Sequence, residues 1–100
     1  MATLDHAVYR LGSNLFVVTV SGASGESAGY VGRCYRAIES RLEVVQRADG
    51  QPFEAHAPSA WQVIHRAINA LETYAGGRAE EVRDFDVNPY RLEGAWSLPR

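Results

Sequence analysis

The sequence predicts an α+β domain of two layers: an antiparallel sheet of about four strands with two helices on one face, in the order ββ-α-α-ββ. Three observations lead there. The run Leu15-Phe16-Val17-Val18-Thr19-Val20 is dense in β-branched residues and reads as a central strand. Apolar residues recur at spacings of three and four in two later stretches. The C-terminal stretch from Tyr90 alternates with period two. With 100 residues, 46% of them hydrophobic and 22% charged, the chain can close one modest core, so one domain is expected over 1–100.

Residues 4–11 and 15–20 form the first two strands, joined by the turn chemistry of Gly12-Ser13-Asn14. A Gly/Ser-rich segment follows, and 21–29 is expected to be a mobile loop. Next, Val31, Cys34, Tyr35, Ile38, Leu42 and Val45 fall within an arc of about 100° when wound at 100° per residue, which predicts the first helix. Asp49-Gly50 ends it, with Gly50 as a left-handed cap. On that helix Arg33, Arg36 and Arg47 share the polar face, and Glu43–Arg47 is an i,i+4 pair. The same stretch admits a second reading, in which 41–48 and 51–56 are a β-hairpin around the Asp-Gly turn.

The second helix is the best-defined element. Ser59 is its N-cap and Gln62 reaches back as in a capping box. Trp61, Ile64, Ile68, Leu71 and Ala75 form the apolar stripe, and Gly76-Gly77 closes it. Beyond it, 82–87 is expected as a strand and Asn88-Pro89 as a turn. Tyr90, Leu92, Trp96 and Leu98 then alternate, with Gly94 marking a bulge. Residues 94–100 read as an extended tail.

The charge balance restricts function. A net charge of −2 and a pI near 5.9 lack the basic excess of a nucleic-acid binder. All ten basic residues are Arg, which removes Schiff-base and P-loop lysine chemistry and leaves planar guanidinium groups suited to carboxylates and aromatic faces. This Arg-only, Ala-rich usage points to GC-rich coding of bacterial or phage origin. A single cysteine permits no intramolecular disulfide. The N-terminal stretch is not a secretory signal, and the run 15–18 is too short to span a bilayer. A cytoplasmic setting without membrane contact is expected.

Gly25-Glu26-Ser27-Ala28-Gly29 resembles the G-x-S-x-G nucleophile elbow of α/β-hydrolase esterases. The resemblance implies Ser27 as nucleophile, with a base such as His65. The context departs from that pattern: four residues separate the strand end at Val20 from Gly25, and no HGG segment exists for the oxyanion loop. A loop whose serines cap the next element accounts for these residues as well. Gly22, Gly25, Gly29 and Gly32 carry neither the Walker spacing nor GxGxxG. Cys34 lies on an apolar stripe and reads as a small core residue. His6, His56, His65 and Cys34 show no metal-ligand spacing, so neither metal nor cofactor is expected.

What remains are binding residues: Arg33, Arg36 and Arg47 on a docking face for an acidic partner, and Tyr90, Arg91 and Trp96 in the C-terminal stretch. The leading expectation is a small non-catalytic interaction or regulatory module of the inhibitor, immunity-protein or accessory-subunit kind. Its partner is another protein or a second copy of the chain, as in a homodimer. The alternatives are a small serine-esterase-like enzyme and a small-ligand-binding domain.

Overall fold

The computed structural model of the chain describes residues 3–22 and 29–98. It contains strands β1 (Thr3–Leu11), β2 (Asn14–Gly22), β3 (Tyr30–Ile38), β4 (Arg41–Gln46) and β5 (Glu54–Ala57). Helix α1 (Ala60–Ala75) follows, and then β6 (Glu80–Glu81) and β7 (Arg91–Ser97). All the strands belong to one sheet in the order β6-β1-β2-β3-β4-β7, with β5 also paired to β3.

The first hairpin forms where the sequence puts it. Leu11 pairs with Asn14, leaving the two-residue loop Gly12-Ser13. Gly12 has φ +62 and Ser13 does not enter the positive region, the pattern of a type II′ turn.

The expected first helix is replaced by strands. Val31, Cys34, Tyr35, Ile38, Leu42 and Val45 lie in β3 and β4, which form an antiparallel hairpin closed by Ile38 opposite Arg41. The spacing misleads because this sheet is covered on both faces, so apolar residues occupy either parity of a strand and period two is lost. The turn itself carries no glycine. Glu39 adopts φ 55, a left-handed conformation that non-glycine residues enter at a cost.

The alternative hairpin over 41–56 is met only at its tip, where Gln46 bridges Pro52 antiparallel and Arg47 N–H donates to Gln51 C=O at 2.7 Å around the Asp-Gly turn. Beyond that tip the two strands do not pair with each other. β4 pairs with the C-terminal half of β3 and β5 with its N-terminal half, so the two lie end to end along one neighbour. Residues 47–53 between them are an excursion, pinned by Gly50 N–H to Arg47 C=O (2.9 Å) and Phe53 N–H to Val45 C=O (3.0 Å). Gly50 turns it at φ +86.

Helix α1 begins and ends as expected. Ser59 Oγ accepts from Gln62 N–H at 3.3 Å, and Gly76 closes the last turn at φ 74 with its N–H on Glu72 C=O. Its buried face is Val63, Ala67, Ile68 and Leu71, with Ile64 at the margin. Trp61, expected in that stripe, is 69% exposed. The helix presses on Gly32 of β3, where a Cβ would collide with Val63 Cγ1. Beneath it Phe16, Val18, Val20, Cys34 and Val45 share one face of the sheet and form the main core with the helix residues and Leu98. Burying each of the larger side chains contributes about 1.5–3 kcal/mol.

The fold is therefore one helix on a mixed sheet, not two helices on an antiparallel one. The strand expected at 82–87 reduces to Glu80–Glu81, which pairs with Tyr9 and Arg10 of β1. The expected turn at Asn88-Pro89 is present, with Tyr90 N–H on Val87 C=O at 3.0 Å. Residues 82–90 must carry the chain from the β6 edge to the β7 edge. They do so over the face opposite α1. Val8 and Val17 point to that face, yet they are only 4% and 1% exposed, and Val82 and Phe85 border the same cavity as Val8.

β7 then runs parallel to β4. The bulge expected at Gly94 is there. Leu42 pairs with Leu92 and Val44 with Ala95, so Glu93 and Gly94 together oppose Glu43, and Gly94 has φ +87. The extra residue reverses the faces of the strand. Leu92 shares the face of Leu42, Ala37 and Leu15, away from the helix, whereas Trp96 pairs with Val45 on the core face. The alternation read through Tyr90, Leu92, Trp96 and Leu98 is thus two half-stripes on opposite faces.

Candidate functional site

Residues 91–97 bring together most of what the C-terminal half offers a partner. β7 is the last strand of the sheet, and its outer side is unpaired among the described residues. Arg91 N–H donates to Ser40 C=O at 3.1 Å, toward β4. By strand alternation the N–H and C=O of Leu92 point outward, to the free edge. The Leu92 side chain is 68% exposed. Arg91 and Glu93 flank it, with Arg91 Nη2 3.8 Å from Glu93 Oε2.

Past the bulge the strand turns inward to an aromatic cleft. Trp96 lies against Phe16 with ring centroids 5.5 Å apart. Together with Leu11, Asn14, Leu71, Tyr74 and Leu98 these rings line a cavity of about 250 Å³ at the end of the helix–sheet interface. Tyr74 stands at its mouth, 47% exposed. It also borders a second, shallower depression with Arg47, Asp49 and Phe53. Apolar walls with a few polar groups, here the Asn14 amide with the Tyr74 hydroxyl and Trp96 N–H, are the usual composition of a small-molecule pocket.

A charged cluster supports Trp96 from the sheet side. Arg36 Nη2 and Nε donate to Glu43 Oε1 at 2.6 and 3.0 Å, and Arg41 Nε lies 3.5 Å from Glu43 Oε2. The Arg36 hydrogen bonds are the main cause that holds the Glu43 carboxyl below the usual carboxylate range, against the opposing effect of burial.

The structure does not bring the expected arginine face together. Arg33 and Arg36, three apart on β3, project to opposite faces. Arg33 is engaged by Glu54 at 2.9 Å, and Arg47 sits in the 47–53 excursion paired with Asp49 at 2.6 Å. The Glu43–Arg47 pair is replaced by Glu43–Arg36. Tyr90 packs on Phe85 with centroids 5.2 Å apart. His65 rests on the exposed Trp61 ring at 4.8 Å. Ser27 lies outside the described residues. Among those described, no group of three His, Cys, Asp or Glu side chains could hold a metal ion, and no helix is long and apolar enough to cross a membrane. Cys34 is fully buried, and burial pushes its thiol up to about 12.

Two contributors escaped the sequence reading. Tyr74 lies outside the apolar stripe that the spacing predicts for α1, and Leu92 reads as part of a single alternation with Trp96 and Leu98. The signal for Leu92 was Gly94: a bulge there implies that the residues before it and after it face opposite ways. No protein family model matches the chain, and no curated protein or solved structure is significantly similar to it.

Proposed function

We propose that the chain is a small non-catalytic protein-interaction or regulatory module that works through the free edge of β7. The observation that carries this reading is Leu92: a large apolar side chain, 68% exposed, near the start of an edge strand whose outer side is unpaired among the described residues. Such an edge is a template for strand addition, and proteins usually blunt it unless it is used. The single cysteine, buried and unpaired, fits a reducing cytoplasmic setting, and the Arg-only composition fits a bacterial or phage source. Affinity capture from the native host with wild type and Leu92→Lys tests the reading. Proteins retained by wild type and lost from the variant support it; identical sets from both overturn it.

A second reading rests on a separate observation, the cleft of about 250 Å³ walled by Phe16, Tyr74 and Trp96. It would take a small apolar or aromatic ligand. A ligand bound only by the native state raises the melting temperature, so a thermal-shift screen identifies it, and Tyr74→Ala removes the shift.

A further inference from the structure

The segment Arg91-Leu92-Glu93 is its own charge complement when read backwards, and from this we infer that the partner of the β7 edge is a second copy of the chain, paired antiparallel about a two-fold axis through Leu92. The inference deepens the reading of β7 as a contact surface and rests on it.

Backbone geometry limits the choices first. In an antiparallel pair, residues whose N–H and C=O point outward must lie opposite one another. Before the bulge the outward residue of β7 is Leu92; Tyr90, just ahead of the strand, already donates its N–H to Val87 C=O. Within the segment before the bulge, a two-fold axis therefore passes through a residue, not between two.

Charge then selects the register. An axis through Arg91 sets Arg91 opposite Arg91 of the second copy, and an axis through Glu93 sets two glutamates face to face. Like charges directly opposite are destabilising. An axis through Gly94 joins the two strands at the bulge itself, where φ is +87, and leaves Arg91 opposite Ser97. Only the axis through Leu92 sets Arg91 of each copy opposite Glu93 of the other. These are non-hydrogen-bonded positions, with Cα atoms about 4.5 Å apart and side chains close. The two Leu92 residues exchange both backbone hydrogen bonds, and Tyr90 falls opposite Gly94 of the second copy, where there is no side chain to obstruct the ring.

Two further features agree. Leu15, Ala37, Leu42 and Leu92 stand in register across four neighbouring strands on one face. That row ends in solvent at Leu92. The two-fold axis continues it through Leu92, Leu42, Ala37 and Leu15 of the second copy. On the other face Arg41 is directly paired with Arg91, a like-charge contact at the edge. Arg41 is held by Glu39 and Glu43, and Arg91 has, among the described residues, only Glu93 of its own chain at 3.8 Å, so Glu93 of the second copy adds a further carboxylate at this edge. The interface is isologous, so it closes at two subunits and does not propagate.

Sedimentation equilibrium of the whole chain from micromolar to millimolar concentration tests this. Wild type is expected to show a monomer–dimer equilibrium. Arg91→Glu and Glu93→Arg each place like charges opposite and weaken dimerisation about tenfold or more, whereas the double variant Arg91→Glu/Glu93→Arg restores the pairing. Leu92→Lys abolishes it. All three positions are exposed sites on the edge strand, and unchanged circular dichroism melts at concentrations where wild type is monomeric confirm that folding is intact. A monomer at every concentration, or a double variant no better than the singles, overturns the inference. If the chain is monomeric while Leu92→Lys still loses proteins captured from the host, the self-pairing falls and the contact surface stands. If Leu92→Lys changes neither result, both fall.

Discussion

The guanidinium carbon of Arg36 lies 5.2 Å from the ring centroid of Trp96, and the same guanidinium donates two hydrogen bonds to Glu43. The contact joins β3 to β7, two strands that are not neighbours in the sheet, and it ties the edge strand to the core face. Trp96 closes the sheet as much as it lines a cleft. Trp96→Ala removes the ring contact with Phe16, the cation–π contact and much of the wall above the cavity. The variant is expected to lose about 2–3 kcal/mol, less than a fully buried Trp because the ring is only partly buried. Urea denaturation measures it; an unchanged midpoint means Trp96 serves binding alone.

Glu43 makes the same cluster sensitive to acid. Its carboxyl is held low mainly by the Arg36 hydrogen bonds, with Arg41 adding to the effect. A group whose folded pKa is depressed contributes stability that is fully present above its unfolded value, about 4.3, and lost as pH falls through the folded value. Wild type should therefore lose melting temperature steadily below about pH 5. Glu43→Gln, already lacking the charge, should start lower and lose less over that interval. Asp49, lowered first by Gln51 N–H and then by Arg47, titrates in the same direction, so Glu43→Gln/Asp49→Asn should give the flattest profile. Parallel wild-type and variant curves below pH 5 would remove the cluster from acid sensitivity.

The legible parts of this chain were those with local punctuation. Gly12, Ser59 and Gly76 each supply the conformation or side chain that their turn or cap requires, and the first hairpin and α1 sit within a residue or two of where those signals place them. The β3–β4 turn lacks such a signal, because Glu39 occupies a position that glycine or asparagine would have announced. Without it, residues 30–46 read by spacing alone, and spacing fails where both faces of a sheet are covered. The site suffered from the same cause. Arg33 and Arg36 appeared together on a helix and lie on opposite faces of a strand, whereas Arg91 and Trp96 do occur on one short element. The long-range pairing of β7 with β4, separated by the helix and the 82–90 crossing, has no local signature.

Gly32 shows a different kind of signal, one that becomes readable only with its partner known. It lies under Val63, so close that Gly32→Ala forces Cβ into Val63 Cγ1. The substitution should cost about 1–3 kcal/mol, by displacing α1 or distorting β3. Val63→Ala removes the atom that the new methyl would strike, and it too is destabilising because Val63 is fully buried. The double variant should be more stable than the sum of the singles. A strictly additive cycle, read by denaturation midpoints, would mean that helix and strand do not meet at this point.

Cys34 offers a direct report on how the core opens. It is fully buried at the centre of β3, between pairings with Val18 on one side and the β4 and β5 segments on the other. Burial raises its thiol to about 12, whereas an unfolded cysteine titrates near 8.5. At pH about 8 the native thiol is therefore both inaccessible and protonated, and an alkylating reagent reaches it only through opening of the core. Where reclosing outruns alkylation, the labelling rate follows the opening equilibrium. Leu71→Ala, expected to cost about 2–5 kcal/mol in the same core, should then speed labelling by at least about thirtyfold. Leu92→Lys, at an exposed edge, should leave the rate unchanged at concentrations where the chain is monomeric. Labelling of native wild type as fast as a free thiol would contradict the placement of β3 beneath α1, and with it the pairing of every strand that β3 organises.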